Sequence, residues 1–122
     1  MSENFPKKIL IMPDFAPDAY AWDYEEGAGD LITPLVDYFP DNLELKEIEG
    51  ELSKWCDWFN RDFDIKADDS NFPWEKFHRQ GLDLAKRLAR NLAQFNIEVY
   101  YQYPHEDLNR KGSKPVKVEV SH

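Results

Sequence analysis

The side chains able to do chemistry in this chain are mostly carboxylates: 24 acidic residues stand against 15 basic ones and three histidines. Between Pro13 and Asp30 there are six acids (Asp14, Asp18, Asp23, Glu25, Glu26 and Asp30) and no base. Threaded among them are Phe15, Tyr20, Trp22 and Tyr24. Two carboxylates flanking a sugar, with aromatic stacking nearby, are the ingredients of glycoside hydrolysis. Nothing in the spacing singles out such a pair, however, and a short chain with few strands provides little cleft. The same residues also suit recognition. Large rigid rings bury much area at low entropic cost, and acids around them steer a basic partner. A second group of this kind is Asp57, Trp58, Asp62 and Asp64, on the outer side of an expected helix and the loop after it. The contact residues expected from sequence are therefore Asp18, Trp22, Asp23, Tyr24, Glu25, Glu26, Asp57, Trp58, Asp62 and Asp64.

Nucleophilic and metal chemistry find less support. His78 falls on or beside the apolar stripe of an expected helix, where an ordinary hydrogen bond is the simplest role for it. His105 follows a Tyr-Pro at a strand end and could act only with a nucleophile brought from elsewhere in space. No cysteine or histidine stands at the short spacings of a zinc site, and no His-Glu-x-x-His pair occurs. Cys56 beside Trp55 reads as a small buried apolar side chain rather than an activated thiol. The clustered glycines, Gly27-Ala28-Gly29, are flanked by Glu25, Glu26 and Asp30, which repel phosphate rather than cradle it. No catalytic residue, metal or cofactor is expected.

The formal net charge is −9, and it is one-sided. Residues 1–66 hold sixteen acids and six bases, whereas 67–122 hold eight and nine. Such a surface disfavours nucleic acid and anionic membranes and attracts something basic. No apolar run approaches the ~20 residues of a spanning helix. The stretch Ile9–Met12 is too short for a signal peptide and meets Pro13-Asp14 at once. With one cysteine and hence no internal disulfide, the expected compartment is the cytosol.

The elements that must position these groups follow from periodicity. Lys8 to Met12 predicts a buried strand ended by a proline. Residues 13–30 predict a long irregular loop, punctuated by Pro13, Pro17, Gly27 and Gly29 and therefore of functional interest. Residues 31–42 keep turning. Leu45, Ile48, Leu52, Trp55 and Phe59 recur at helical spacing, with Gly50 as a local weakness. A polar loop covers 62–70. Asn71 and Pro73 mark the start of a second helix whose stripe is Trp74, Phe77, Gly81, Leu84, Leu88, Leu92 and Phe95. Asn96 stops it, and 97–103 predict a second strand. After a loop over 104–113, Val116, Val118 and Val120 alternate with charges as a third, edge strand. The expected fold is α/β: a single small domain over 1–120, with a β-α-α-β core. Two amphipathic helices pack on a three-stranded mixed sheet, its first two strands parallel. Ser121 and His122 are set aside as a tag remnant.

The order Asp14-Phe15, Ala21-Trp22-Asp23, Leu43-Glu44-Leu45, Leu52-x-x-Trp55-x-x-Trp58-Phe59-Asn60, Phe77-x-x-x-Gly81-x-x-Leu84-Ala85-x-x-Leu88 and Val99-x-Tyr101 resembles a group of small bacterial proteins. These are the immunity proteins of contact-dependent growth inhibition and related polymorphic toxin systems. The likeness spans about residues 8–103 and rests mostly on core aromatics, which place the fold more than the activity. It implies a cytoplasmic protein that binds the toxic C-terminal domain of a cognate effector, often a basic nuclease. Contact surfaces in such a group are specific to each toxin, so the resemblance implies no site residue. The competing expectations are a small hydrolase using carboxylates or His105, and a ligand-binding or regulatory domain.

Overall fold

The computed structural model describes residues 5–27, 29–63, 72–104, 106–107, 110 and 112–120. Its sheet is built around β1 (Lys8–Ile11), in which Ile9, Leu10 and Ile11 are all buried because a strand lies on each side. β2 (Ala21–Asp23) pairs with β1 antiparallel, and β3 (Glu98–Tyr101) pairs with it parallel. β4 (Val116–Lys117) then closes the order β2-β1-β3-β4 by pairing antiparallel with β3. The sheet is mixed, as the sequence predicts, and the parallel pair is the one expected. Among the described residues it carries four strands rather than three, because the stretch expected to be irregular over 13–30 supplies β2.

Between β1 and β3 the chain crosses over through α1 (Leu43–Asp62) and α2 (Trp74–Leu92). α1 begins earlier than its apolar stripe: Asn42 is the N-cap, its Oδ1 accepting from the Leu45 N–H at 3.0 Å. The expected loop over 62–70 lies almost wholly outside the described residues, as does Asn71. Pro73 occupies the N-cap position of α2 rather than its first turn, and it gives no side-chain cap. Beyond a short 3-10 turn (Ala93–Phe95), Asn96 adopts a left-handed φ of 59° and ends the helix where the sequence places the stop.

Both helices lie on one face of the sheet. Ile9, Ile11, Ala21, Val99, Tyr101 and Val118 share a core with Leu45, Ile48, Leu52, Trp55, Phe77, Leu84 and Leu88. At Gly81 of α2 an added Cβ would sit 2.5 Å from a ring carbon of Trp55 in α1 and 2.8 Å from Tyr101. Trp55 stacks on Phe77 with centroids 4.6 Å apart, and its Nε1 donates to the Phe77 carbonyl at 3.0 Å. Glycine at 81 is therefore a packing requirement of the helix pair.

The segment from Met12 to Asp37 is pinned to α1 by polar contacts. Glu49, buried on the inner face of α1, accepts from the backbone N–H groups of Leu35 and Val36, each at 2.7 Å, and from the Tyr20 hydroxyl at 2.5 Å. Three donors satisfy a charge that burial would otherwise make costly. Ser53 donates to Asp18, and Asn60 to the Asp14 carbonyl at 2.9 Å. The Cys56 thiol is fully buried, with carbonyl oxygens of Asp14, Ala16 and Ala19 at 3.6–3.8 Å. Among the described residues, no helix is long and apolar enough to cross a membrane.

Candidate interaction surface

Strand alternation sends Lys8, Leu10, Trp22, Glu98, Tyr100 and Lys117 to the sheet face opposite the helices, since each lies one residue out of step with the core positions. Leu10 is the centre of this face. It is only 2% exposed, set between its cross-strand neighbours Trp22 and Tyr100, yet it is not part of the core formed by sheet and helices. Trp22, Tyr24 and Tyr100 are half-buried around it. The indole N–H of Trp22 donates to the Met12 carbonyl at 3.0 Å, which fixes the ring orientation. Tyr24 packs against Tyr100 with centroids 5.1 Å apart.

Charges border these rings on two sides. Across β3 and β4, Glu98 accepts from the Tyr100 hydroxyl at 3.0 Å and pairs with Lys117 at 3.1 Å. Lys117, followed by Tyr100, holds the Glu98 carboxyl below its ordinary value. At the other edge the chain leaves β2 through a tight acidic turn. Asp23 accepts from the Glu25 N–H through its side chain at 2.9 Å and from the Gly29 N–H through its carbonyl at 2.8 Å. Glu25 in turn accepts from the Lys7 backbone N–H. Glu25, Glu26 and Asp30 are exposed there. The structure thus brings Trp22, Asp23, Tyr24, Glu25 and Glu26 together at one edge of the open face.

The other expected residues are not gathered with them. Asp18, at a left-handed φ of 55°, is exposed but turned to α1, where Ser53 donates to it at 2.5 Å. Trp58 is half-buried and faces the helix pair, its ring 5.2 Å from Phe77 and 5.7 Å from Phe72. The second group consequently has no aromatic centre in the described residues: Asp57 is exposed, Asp62 pairs with Arg61 at 3.0 Å, and Asp64 lies outside the described residues. Tyr100 and Lys117 belong to the open face and were not singled out from sequence. The available signal was alternation, since Val99 and Tyr101 point inward, but it acquires meaning only once the pairing of β3 is known.

One side-chain chain has the hydrogen-bond order of a hydrolytic triad. The Tyr101 hydroxyl lies 2.9 Å from His78 Nδ1, and His78 Nε2 lies 2.7 Å from an Asp107 carboxylate oxygen. With a neutral imidazole, Tyr101 donates to Nδ1 and Nε2–H donates to Asp107. Tyr101 is fully buried, and burial raises its pKa well above the phenolic range. A hydroxyl neither ionised nor reachable is no nucleophile. The chain is a strut that ties β3, α2 and the segment at Asp107 together, more than the flank position expected for His78. Arg110 lies 4.3 Å over the Tyr103 ring beside it. His105 lies outside the described residues. Desolvation likewise raises the Cys56 thiol. Among the described residues, no group of three His, Cys, Asp or Glu side chains could hold a metal ion.

Comparison with known protein families, with curated proteins and with solved structures finds no match.

Proposed function

We propose that this protein is an immunity-type inhibitor that binds and neutralises a basic toxin domain, a nuclease being the partner its charge suits best. The observation that carries the reading is the open sheet face: Trp22, Tyr24 and Tyr100 half-exposed around Leu10, beside a turn that presents Asp23, Glu25, Glu26 and Asp30. Rings held by hydrogen bonds and stacking lose little freedom on binding, so they suit an interface centre. The acidic turn adds long-range attraction for a cationic surface, and with it speed of encounter. An acidic inhibitor of a nuclease would cover the surface meant for phosphate. The resemblance to immunity proteins points the same way.

A pull-down tests this directly. The protein serves as bait in a lysate expressing the secreted gene that neighbours its own, with low-salt and high-salt washes. A single basic polypeptide, held one-to-one and released only by high salt or denaturant, is the expected result. Bait that retains nothing at low salt overturns the reading.

A further inference from the structure

We infer that the exposed edge of β4 pairs antiparallel with β4 of a second copy of this chain, centred on Val118. Among the described residues β4 is the last strand of the sheet. Tyr101 faces Val116, and the Val118 N–H donates to the Val99 carbonyl at 2.8 Å. Backbone groups of successive residues in an antiparallel strand point to alternate sides. Val116 and Val118 therefore turn theirs toward β3, while Lys117 and Glu119 turn theirs outward. The opposite edge offers no equivalent, because Leu31 bridges to Trp22 and the Ile32 N–H donates to the Ala21 carbonyl.

The occupant is specified by the order of side chains. A two-fold axis at Val118 sets Lys117 of one copy opposite Glu119 of the other, so opposite charges face each other twice. The outward N–H and C=O of those same residues then fall in register to exchange hydrogen bonds. On the helix side, Val116 meets Val120 across the axis. Val116 is 47% exposed and Val120 half-buried in the single chain. Pro115, which has no N–H to offer, ends the pairing where its outward position would require one. A strand bearing two like charges, or valines all already covered, would have none of this self-complementarity. The paired sheets would form one layer twice as wide, with both aromatic faces and both acidic turns free at its far ends.

Sedimentation of the full chain from micromolar to millimolar concentration, in about 0.15 M salt so that long-range repulsion between acidic copies is screened, tests this. The expected species at the high end has twice the 14.4 kDa chain mass. Glu119→Lys sets like charges opposite each other at both symmetric positions and should weaken the dimer about tenfold or more. Adding Lys117→Glu, with Glu98→Gln so that the new carboxylate meets no like charge within its own chain, restores opposite charges in swapped order and should recover it. Glu119→Pro removes an outward N–H while sparing the bond to Val99, and should give a monomer. A wild-type chain that stays monomeric throughout overturns the inference. So does a dimer that Glu119→Lys leaves unchanged, or one that the charge swap fails to rescue. Should Glu119→Pro fail to fold, the two charge variants decide alone.

Discussion

Alanine at position 50 and alanine at position 81 are the same substitution in two helices, and they should change stability in opposite directions. A glycine in a helix interior costs roughly 0.5–1 kcal/mol relative to alanine. At Gly50 an added Cβ meets nothing within 4 Å, so Gly50→Ala should gain that whole amount. At Gly81 the same gain is set against a clash. The new carbon would lie 2.5 Å and 2.9 Å from two Trp55 ring atoms and 2.8 Å from Tyr101 Cε1. Ordinary carbon contacts are about 3.5–4.0 Å, so the helices or rings must yield by about 1 Å. Neither ring is free to do so: Trp55 is held by Phe77, and Tyr101 by His78. Overpacking costs about 1–3 kcal/mol, and losing the buried Trp55 hydrogen bond costs about as much again. After the propensity gain, Gly81→Ala should destabilise by about 1–5 kcal/mol. Urea unfolding followed by tryptophan fluorescence and far-UV circular dichroism reads both variants. The midpoint should rise for Gly50→Ala and fall for Gly81→Ala at unchanged m. A Gly81→Ala variant as stable as wild type would refute the reasoning, since the helices could then separate without loss.

Burial holds His78 below its ordinary pKa of 6.5, outweighing the attraction of Asp107. Folding therefore favours the neutral ring. That stabilisation is complete above about pH 6.5 and is lost as pH falls below it, so stability should rise from about pH 5 to 7. Thermal unfolding across that range should show the slope in wild type and a smaller one in His78→Gln; equal slopes would contradict the assignment. Glu49→Gln should cost about 1–3 kcal/mol, because one amide oxygen cannot replace two carboxylate oxygens toward the N–H groups of Leu35 and Val36. Unchanged denaturation midpoints would show that those N–H groups find other partners. Replacing Asp23, Glu25 and Glu26 together with lysine should slow association with a basic partner about tenfold or more and flatten its salt dependence. Stopped-flow mixing at two salt concentrations checks this, and an unchanged on-rate would remove the acidic turn from the interface.

Much of the architecture was legible because burial imposes periods. The stripes of α1 and α2 and the apolar run of β1 report their one-sided or two-sided burial directly. β2 escaped because three residues are too few to show alternation, and Trp22 and Tyr24 face the sheet side away from α1 and α2. The true start of α1 escaped because Leu43 is 76% exposed and outside the stripe, while the cap at Asn42 leaves no apolar signature. Glu49 breaks the apolar face of α1 at a position where a charge should not sit. That anomaly was visible in the sequence, but its partners, Tyr20 and the Leu35–Val36 backbone, are fixed only by the fold. The strut at His78 was hidden for the same reason, since Asp107 is distant along the chain. For the candidate surface, composition located the acidic turn and its two rings. It could not show that Trp58, three residues after Trp55, rotates toward Phe72 and Phe77 instead of solvent.

The strand order β2-β1-β3-β4 also sets a timetable for synthesis. β1 leaves the ribosome before the other strands of its sheet, and β2 follows ten residues after its end. Its other neighbour, β3, is separated from it by about 90 residues, with both helices between, so that pairing waits until α1 and α2 have been made. During that interval one edge of Ile9-Leu10-Ile11 is unpaired, a sticky hydrophobic strand beside nascent copies of itself on neighbouring ribosomes. Lys7 and Lys8 stand immediately before it, and charges flanking an unavoidable apolar strand are what keep such an edge from aggregating.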